Sequence, residues 1–465
     1  MLNCFKARRT PLDLNNQTTS QAIILNQVLN LNLSYNPVYN LTQNIPSTII
    51  PFLSGSITNC TANPSLPIGL TLNSNTCAIT GTPSNLQSPT RFTITASSIA
   101  TSKTANFQMS VNFFRYWEEV EPILRASAAL GQRGTETAAT FGSIAGTQRY
   151  GSAVLSENGK IYGIPRNVNH VLILDPETNS IDTTTISAIA PATAFLSGVL
   201  APNKKIYSIP FDRTDVLIVD PNTNTSDQTS ITGLTGTAKW SRGVLAPNNK
   251  IYGMPNQTNV LIIDPITNSV DTSSISGLIG GSYAGGVLAP NGKIYGIPLN
   301  SDRVIIIDPI TNTADTTTIT GLSGAGKWGG GVLAPNGKIY GIPGNADSIL
   351  IIDPTTNTAD TTTITGLGVS AEKWQSGVLA PNGKIYGIPS NSSSVLIIDP
   401  VTNTANTSTI TGLGVAAGKW AGGILAPNGK VYGIPRSSST ILEIDTKSIG
   451  TWPSDLYYSP YFNKF

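Results

Sequence analysis

The chain has 465 residues, enough for more than one core, and 28 Lys and Arg balance 26 Asp and Glu to a formal net charge of +2. Only 12% of its residues are charged, against about a quarter in an ordinary soluble domain. The near-neutral balance, with no basic run, excludes a nucleic-acid protein, and no apolar stretch approaches the roughly 20 residues of a membrane helix.

Gly, Pro, Asn, Ser and Thr replace the missing charges, a composition of short strands joined by tight turns. Residues 1–31 are polar, rich in Asn and Gln and weakly patterned, as a tether is. The opening Met1-Leu2-Asn3-Cys4 lacks the charged and apolar regions of a complete signal peptide. It resembles the tail of a spirochaete-type lipoprotein signal, which implies acylation of Cys4 and a membrane contact made only through that lipid.

Residues 32–114 have a different texture. Phe92-Thr93-Ile94-Thr95-Ala96 and Phe107-Gln108-Met109-Ser110-Val111 alternate apolar with polar, the mark of half-buried strands. Cys60 and Cys77 lie close together in this turn-rich segment, a placement that favours a disulfide over two buried thiols. Leu66-Pro67-Ile68-Gly69-Leu70, followed by Gly81-Thr82-Pro83, resembles the He_PIG-like immunoglobulin-type modules of bacterial surface proteins. That resemblance implies a small β-sandwich serving as a spacer or adhesion unit, without catalytic residues. Cys77 stands where the pattern usually carries glycine. Residues 115–136 form a linker in which Trp117 to Leu130 predicts a short helix, with acids early and Arg125 late.

From residue 137 a repeat takes over. Lys-Ile-Tyr-Gly-Ile-Pro, with small changes, places Tyr162, Tyr207, Tyr252, Tyr295, Tyr340, Tyr386 and Tyr432 at intervals of 43–46 residues. That is the size of one four-stranded propeller blade. In the fifth copy the expected strands are A (330–334), B (338–342), C (349–352) and D (360–364), with Pro335-Asn336-Gly337 and Asp353-Pro354-Thr355-Thr356-Asn357 as turns. The predicted fold is therefore all-β: a seven-bladed β-propeller over 137–465, preceded by a small Ig-like β-sandwich. Residues 137–142 resemble the Thr-rich strand D of the repeats and are expected to complete the last blade; the rival is completion by 446–453. Trp452, Tyr457, Tyr458, Tyr461, Phe462 and Phe465 predict a tail packed on the propeller.

The repeats resemble YVTN-type bacterial surface propellers through their Asn-Gly-Lys-Ile-Tyr and Ile-Asp-Pro-x-Thr-Asn pieces, a likeness specific for fold and vague for function. Each strand B opens on a Lys and each strand C ends on an Asp, which predicts a cross-strand pair in every blade. Tyr150, Phe195, Trp240, Tyr283, Trp328, Trp374 and Trp420 precede strand A, several behind a Lys or Arg. They are expected to wedge between blades while the cations stay solvated.

The A–B and C–D turns are near copies of one another, whereas the B–C loops differ, and loops over a rigid scaffold are where binding usually sits. The candidate ligand-binding residues are their charged members Arg166, Asp212, Arg213, Asp215, Asp302, Arg303 and Arg436, together with His170. No catalytic motif, cofactor loop or metal site is legible: His170 is the one histidine, so a multi-histidine metal centre cannot form within the chain. The expected protein is a non-enzymatic, extracytoplasmic cell-surface module for a protein or glycan ligand. Two other readings stand beside it. One is a self-associating structural protein; the other is an enzyme resembling streptogramin-lyase propellers, with His170 beside Asp212 and Asp215.

Overall fold

The computed structural model describes residues 31–42, 47–83, 87–112, 116–189, 195–278 and 281–462. Cys4, most of the proposed tether and Phe465 lie outside them. The chain divides into two compact units, Met1–Arg115 and Tyr116–Phe465. Among the described residues no helix is long and apolar enough to cross a membrane.

In the first unit the two long strands Gln87–Ser97 and Ser102–Asn112 pair antiparallel. They are flanked by Asn59–Asn63 and by Val38–Thr42, the latter running parallel to its neighbour. Ser47–Ile49, Ile79–Gly81 and Leu70–Leu72 make a three-stranded sheet. Both sheets contribute to one apolar cluster, including Ile49, Cys60, Cys77, Ile79, Phe92, Ile94, Phe107 and Met109. The alternation in the sequence is thus the alternation between this core and the outside. Cys60 and Cys77 form a disulfide with Cα atoms 5.5 Å apart. Cys77 has φ +53°, the left-handed region that glycine favours; there the cysteine gives up an easier backbone for a covalent tie.

The second unit contains seven four-stranded antiparallel sheets among its described residues. In the fifth, strand A is Trp328–Leu333, B is Ile339–Pro343, C is Leu350–Asp353 and D is Thr358–Asp360. Strand D departs from the expected 360–364. The Asp360 carboxylate accepts the amides of Thr362 at 2.7 Å and Thr363 at 3.2 Å, which curls the chain out of the sheet. Strand A of each sheet contacts strand A of the next, and strand A of the seventh returns to the first, so the sheets follow one another in a closed cycle. Close approach depends on glycine. A Cβ on Gly331 would lie 2.6 Å from Ile297 Cδ1 and 3.1 Å from Val287 Cγ2 of the preceding sheet.

The repeated tyrosine is a latch between sheets. The Tyr340 hydroxyl, fully buried, accepts from Asn336 Nδ2 at 3.0 Å within its own sheet. It donates to Asn403 Oδ1 at 2.7 Å, in the C–D turn of the next sheet. Asn336 Nδ2 also reaches the Pro400 carbonyl there, at 3.1 Å. The same pattern joins Tyr162 to Asn224, Tyr207 to Asn268, Tyr252 to Asn312 and Tyr295 to Asn357. It closes the cycle where Tyr432 meets the Pro176 carbonyl at 3.1 Å.

Thr137–Phe141 pairs antiparallel with Ile441–Asp445, from Thr137 opposite Asp445 to Phe141 opposite Ile441, and so supplies the outer strand of the last sheet. The segment after Asp445 does not take that place. It lacks the usual turn, and the Tyr386 latch is instead met by Glu136 and, through Asn382 Nδ2, by the Thr446 carbonyl at 3.1 Å. Helix α1 (Tyr116–Leu130) buries Val120 and Leu124, and Ser127 Oγ donates to the Pro381 carbonyl at 2.8 Å. The tail turns through the short helix α2 (Ser454–Tyr458), with Trp452, Leu456, Tyr457 and Phe462 in the core. Tyr461 bonds Asn249 Oδ1 at 2.6 Å.

Candidate functional site: a basic cavity at the centre of the ring

The expected Lys–Asp pairs are present in four sheets, as Lys205–Asp220, Lys250–Asp264, Lys293–Asp308 and Lys338–Asp353 at 3.2–3.8 Å. The partner changes at the end of the ring, where Lys384 meets Glu136 and Lys430 meets Glu443. In each Asp-Pro turn the carboxylate also accepts a backbone amide two residues on, as Asp353 does from Thr355 at 2.9 Å. Partly exposed pairs of this kind contribute little energy, so they fix turn geometry rather than mark a site.

The cations ahead of strand A do not stay solvated. Lys239, Lys327, Lys373 and Lys419 are buried, each ammonium about 6 Å from the centroid of the following tryptophan ring. Each donates to three carbonyls: Lys327 Nζ to Leu299 at 3.3 Å, Ser301 at 2.8 Å and Gly324 at 2.7 Å. Lys239, Lys373 and Lys419 repeat the arrangement on their own loops. Arg149 does the same across the closure, to the carbonyls of Ala145 and Ser438 at 2.7 and 2.5 Å. An ammonium holds three donors, and the curled B–C loop turns its carbonyls inward to meet them. Burial pushes these lysines below their ordinary pKa. The result is that five of the seven variable loops are pinned at the base by a buried cation, those of sheets two, four, five, six and seven.

Those loops surround a cavity of about 390 Å³, within the range of small-molecule sites. Its wall includes the second residue of strand A from all seven sheets, Gly151, Leu196, Ser241, Ala284, Gly329, Gln375 and Ala421, so it lies at the ring's centre. The first residue of each B–C loop forms the rim. In chain order these are Arg166, Phe211, Asn256, Leu299, Gly344, Ser390 and Arg436, and all except Ser390 line the cavity. The position that faces the centre is the one whose chemistry changes along the repeats.

The floor is Arg242, buried on the third sheet. Its Nη1 crosses to the Gly329 carbonyl of the fifth sheet at 2.7 Å, and Nη1 and Nη2 reach the Gln375 carbonyl of the sixth at 3.3 Å. Burial and then the charge of Arg436 push its pKa down to about 10. Arg242 was not among the expected site residues. The signal exists: the third residue of strand A is Ser or Gly in the other six copies.

Of the candidates, Arg166 and Arg436 come together at the cavity. Burial, and next the charge of Arg436, push Arg166 below its ordinary pKa, with Glu372 and Asp212 opposing. Arg436 Nη1 pairs with Glu372 at 3.3 Å, and its buried Nε has no hydrogen-bond partner. Glu372 holds φ +48°, as Gln148 and Ala238 do at the equivalent position, which is glycine at Gly281, Gly326 and Gly418. The other candidates are not brought there. Asp212 accepts the Ala238 amide at 2.7 Å, Arg213 pairs with buried Asp215 at 2.7 Å, and Arg303 pairs with Asp302 at 2.7 Å. His170 packs edge-on against Tyr150, with Nδ1 3.2 Å from Asn169 Oδ1 and Nε2 buried without a partner. Burial lowers its pKa, and it does not line the cavity. Among the described residues no group of three His, Cys, Asp or Glu is placed to hold a metal ion.

Comparison with known proteins adds the following. Residues 18–112 match a family model, He_PIG, described as Putative Ig domain. A sequence search against curated proteins gives no match. Among solved structures, the chain is similar to a streptogramin B lyase, with 12% identity over 67% of this chain and 97% of the other, and a TM-score of 0.53. Virginiamycin B lyase from Staphylococcus aureus aligns at 9% identity over 67% and 99%, with a TM-score of 0.55. The extracellular domain of a hybrid two component system protein from B. thetaiotaomicron aligns at 11% identity over 78% of this chain and 46% of that one, with a TM-score of 0.52. At such identities the likeness carries fold alone: an all-β, propeller-like ring behind a segment with Ig-like features.

Proposed function

We propose that residues 137–465 form a seven-bladed β-propeller preceded by an Ig-like β-sandwich. In this reading the chain is a non-enzymatic, extracytoplasmic, surface-displayed protein that binds a protein or glycan ligand over its B–C loop face. One observation carries the binding proposal: a near-perfect repeat varies in chemical type at the rim position, and that position lines the central cavity. The Cys60–Cys77 disulfide supports an oxidising compartment, as do the extracellular domains among the similar structures. The test is capture of printed glycans and surface proteins by the full chain and by a Phe211→Ala, Asn256→Ala, Leu299→Ala variant. Equal capture by both would remove the rim from the binding surface.

Two further readings each have an observation in their favour. The likeness to lyases, with the partnerless Nε2 of His170, supports an enzyme; no turnover, or turnover unchanged in His170→Ala, ends that reading. Ile266, Ile310 and Val401 are 80%, 58% and 85% exposed at the Asp-Pro-x turns of the third, fourth and sixth sheets, which supports self-association. A monomer in sedimentation at high concentration would end that one.

A further inference from the structure

The rim is not evenly basic. Arg436 and Arg166 come from the seventh and first sheets, neighbours across the closure, and Phe211 follows on the second. Against the three guanidinium groups of Arg166, Arg242 and Arg436 the cavity wall offers a single carboxylate, Glu372, whose side chain is 49% exposed. Asp212 stands behind Arg166 and is engaged by the Ala238 amide. Among the described residues the Arg166 side chain makes no hydrogen bond, and Arg436 has a buried Nε to spare. Bringing two like charges together and withdrawing them from water costs free energy in the empty protein; an anion between them reverses that cost.

The remaining wall narrows the ligand. Arg242 closes the floor, so the space admits a compact group rather than a threaded chain. Asn256 spends its Nδ2 on the Ala238 carbonyl at 3.0 Å and keeps an acceptor oxygen, while Gln375 adds an amide and Phe211 an aromatic surface. Guanidinium forks suit a carboxylate, amides suit hydroxyls and an aromatic surface suits the C–H face of a pyranose.

Resting on the binding reading above, we propose that the central cavity receives a carboxylated sugar, the acidic terminus of a glycan, with its carboxylate between Arg166 and Arg436 and its ring toward Phe211. Glu372 holds the Arg436 guanidinium through its pair with Nη1 at 3.3 Å.

The experiment is calorimetric titration of the full chain at low salt with glucuronate and N-acetylneuraminate, beside glucose and N-acetylglycine. At least one acidic sugar is expected to bind, with glucose and N-acetylglycine weaker by about tenfold or more. Arg166→Ala and Arg436→Ala should each weaken the acid by about tenfold or more, and Arg166→Lys should recover only part, because the ammonium lacks the planar fork. Lys204→Ala, on the opposite turns in an ion pair with Glu157, is the charge-matched control and should change nothing. Tryptophan emission confirms that each variant is folded. The inference is overturned if no acid binds, if glucose or N-acetylglycine binds as tightly, or if the Lys204 variant loses as much as the arginine variants. Capture of a neutral glycan that depends on Phe211 would keep the binding face and remove the acidic sugar. Capture of nothing removes both.

Discussion

Tyr340→Phe tests whether the latch between sheets holds the ring together. The substitution keeps the buried ring and deletes one oxygen, so nothing is lost through packing. The bonds lost are the one accepted from Asn336 at 3.0 Å and the one donated to Asn403 at 2.7 Å, the latter shared with the Pro400 carbonyl at 3.4 Å. Asn336 retains the Pro400 carbonyl, and Asn403 is an exposed residue whose Oδ1 can turn to water. The expected loss is about 1–2 kcal/mol, the net worth of the bonds removed. All six tryptophans fall after residue 116, so urea unfolding followed by tryptophan emission reports this unit. Asn403 has φ +51°, so Asn403→Ala adds a backbone penalty of about 1–2 kcal/mol that is unrelated to the latch. A double-mutant cycle removes it, and a coupling of about 1 kcal/mol is expected between Tyr340 and Asn403. Additivity within about 0.3 kcal/mol would show that the two side chains do not act together, and the reasoning would fail.

Four other outcomes follow from the geometry. Hydrogen bonds from the Thr363 hydroxyl, with the Thr362 amide next, hold Asp360 at about 2 against 3.8; the folded state binds fewer protons, so this contribution is full above 3.8 and disappears as pH falls through about 2. Asp360→Asn should flatten that part of the acid-unfolding profile, since Asn406 already caps the sixth copy in the same way. Gly331→Ala should lose about 1–3 kcal/mol in urea unfolding by forcing a methyl onto Ile297. Lys327→Met should cost about 2–3 kcal/mol and speed amide exchange at residues 299–303, because it removes the ammonium bonds to the carbonyls of Ser301 and Gly324 while the Lys327 amide still holds Leu299. Cys60→Ser with Cys77→Ser should cost the first unit roughly 3 kcal/mol, read as faster exchange across residues 59–81.

The repeat was legible because its period, its turn residues and its apolar strands are local properties of the chain. So was the outer strand at 137–141, since it copies the Thr-rich texture of its counterparts. The tyrosine latch was not: its partner lies about sixty residues away in the next copy, and periodicity cannot say which copy a side chain reaches. The buried lysines were misread for a related reason. A lysine beside a loop reads as solvated, and only three converging carbonyls reverse that expectation. At the site, charge selected seven of the eight candidates, of which Arg166 and Arg436 reach the cavity; Asp212, Arg213, Asp215, Asp302 and Arg303 are spent within or beside their own loops. Phe211 and Arg242 carry a different signal, an odd residue in an otherwise repetitive column, which asks how the copies differ rather than how they agree.

Arg242 acts as a calliper for copy number. Its guanidinium meets the fifth and sixth sheets only because the ring has one particular diameter, and glycines opposite leave it room to arrive. Repeats this alike invite unequal recombination, and a gain or loss of one would still let the first strand seal the last sheet. A wider circle would strand that arginine short of its carbonyls, and a narrower one would drive it into them. The chain can thus tolerate an altered tally in its latches yet feel it as an unpaired charge at the hub.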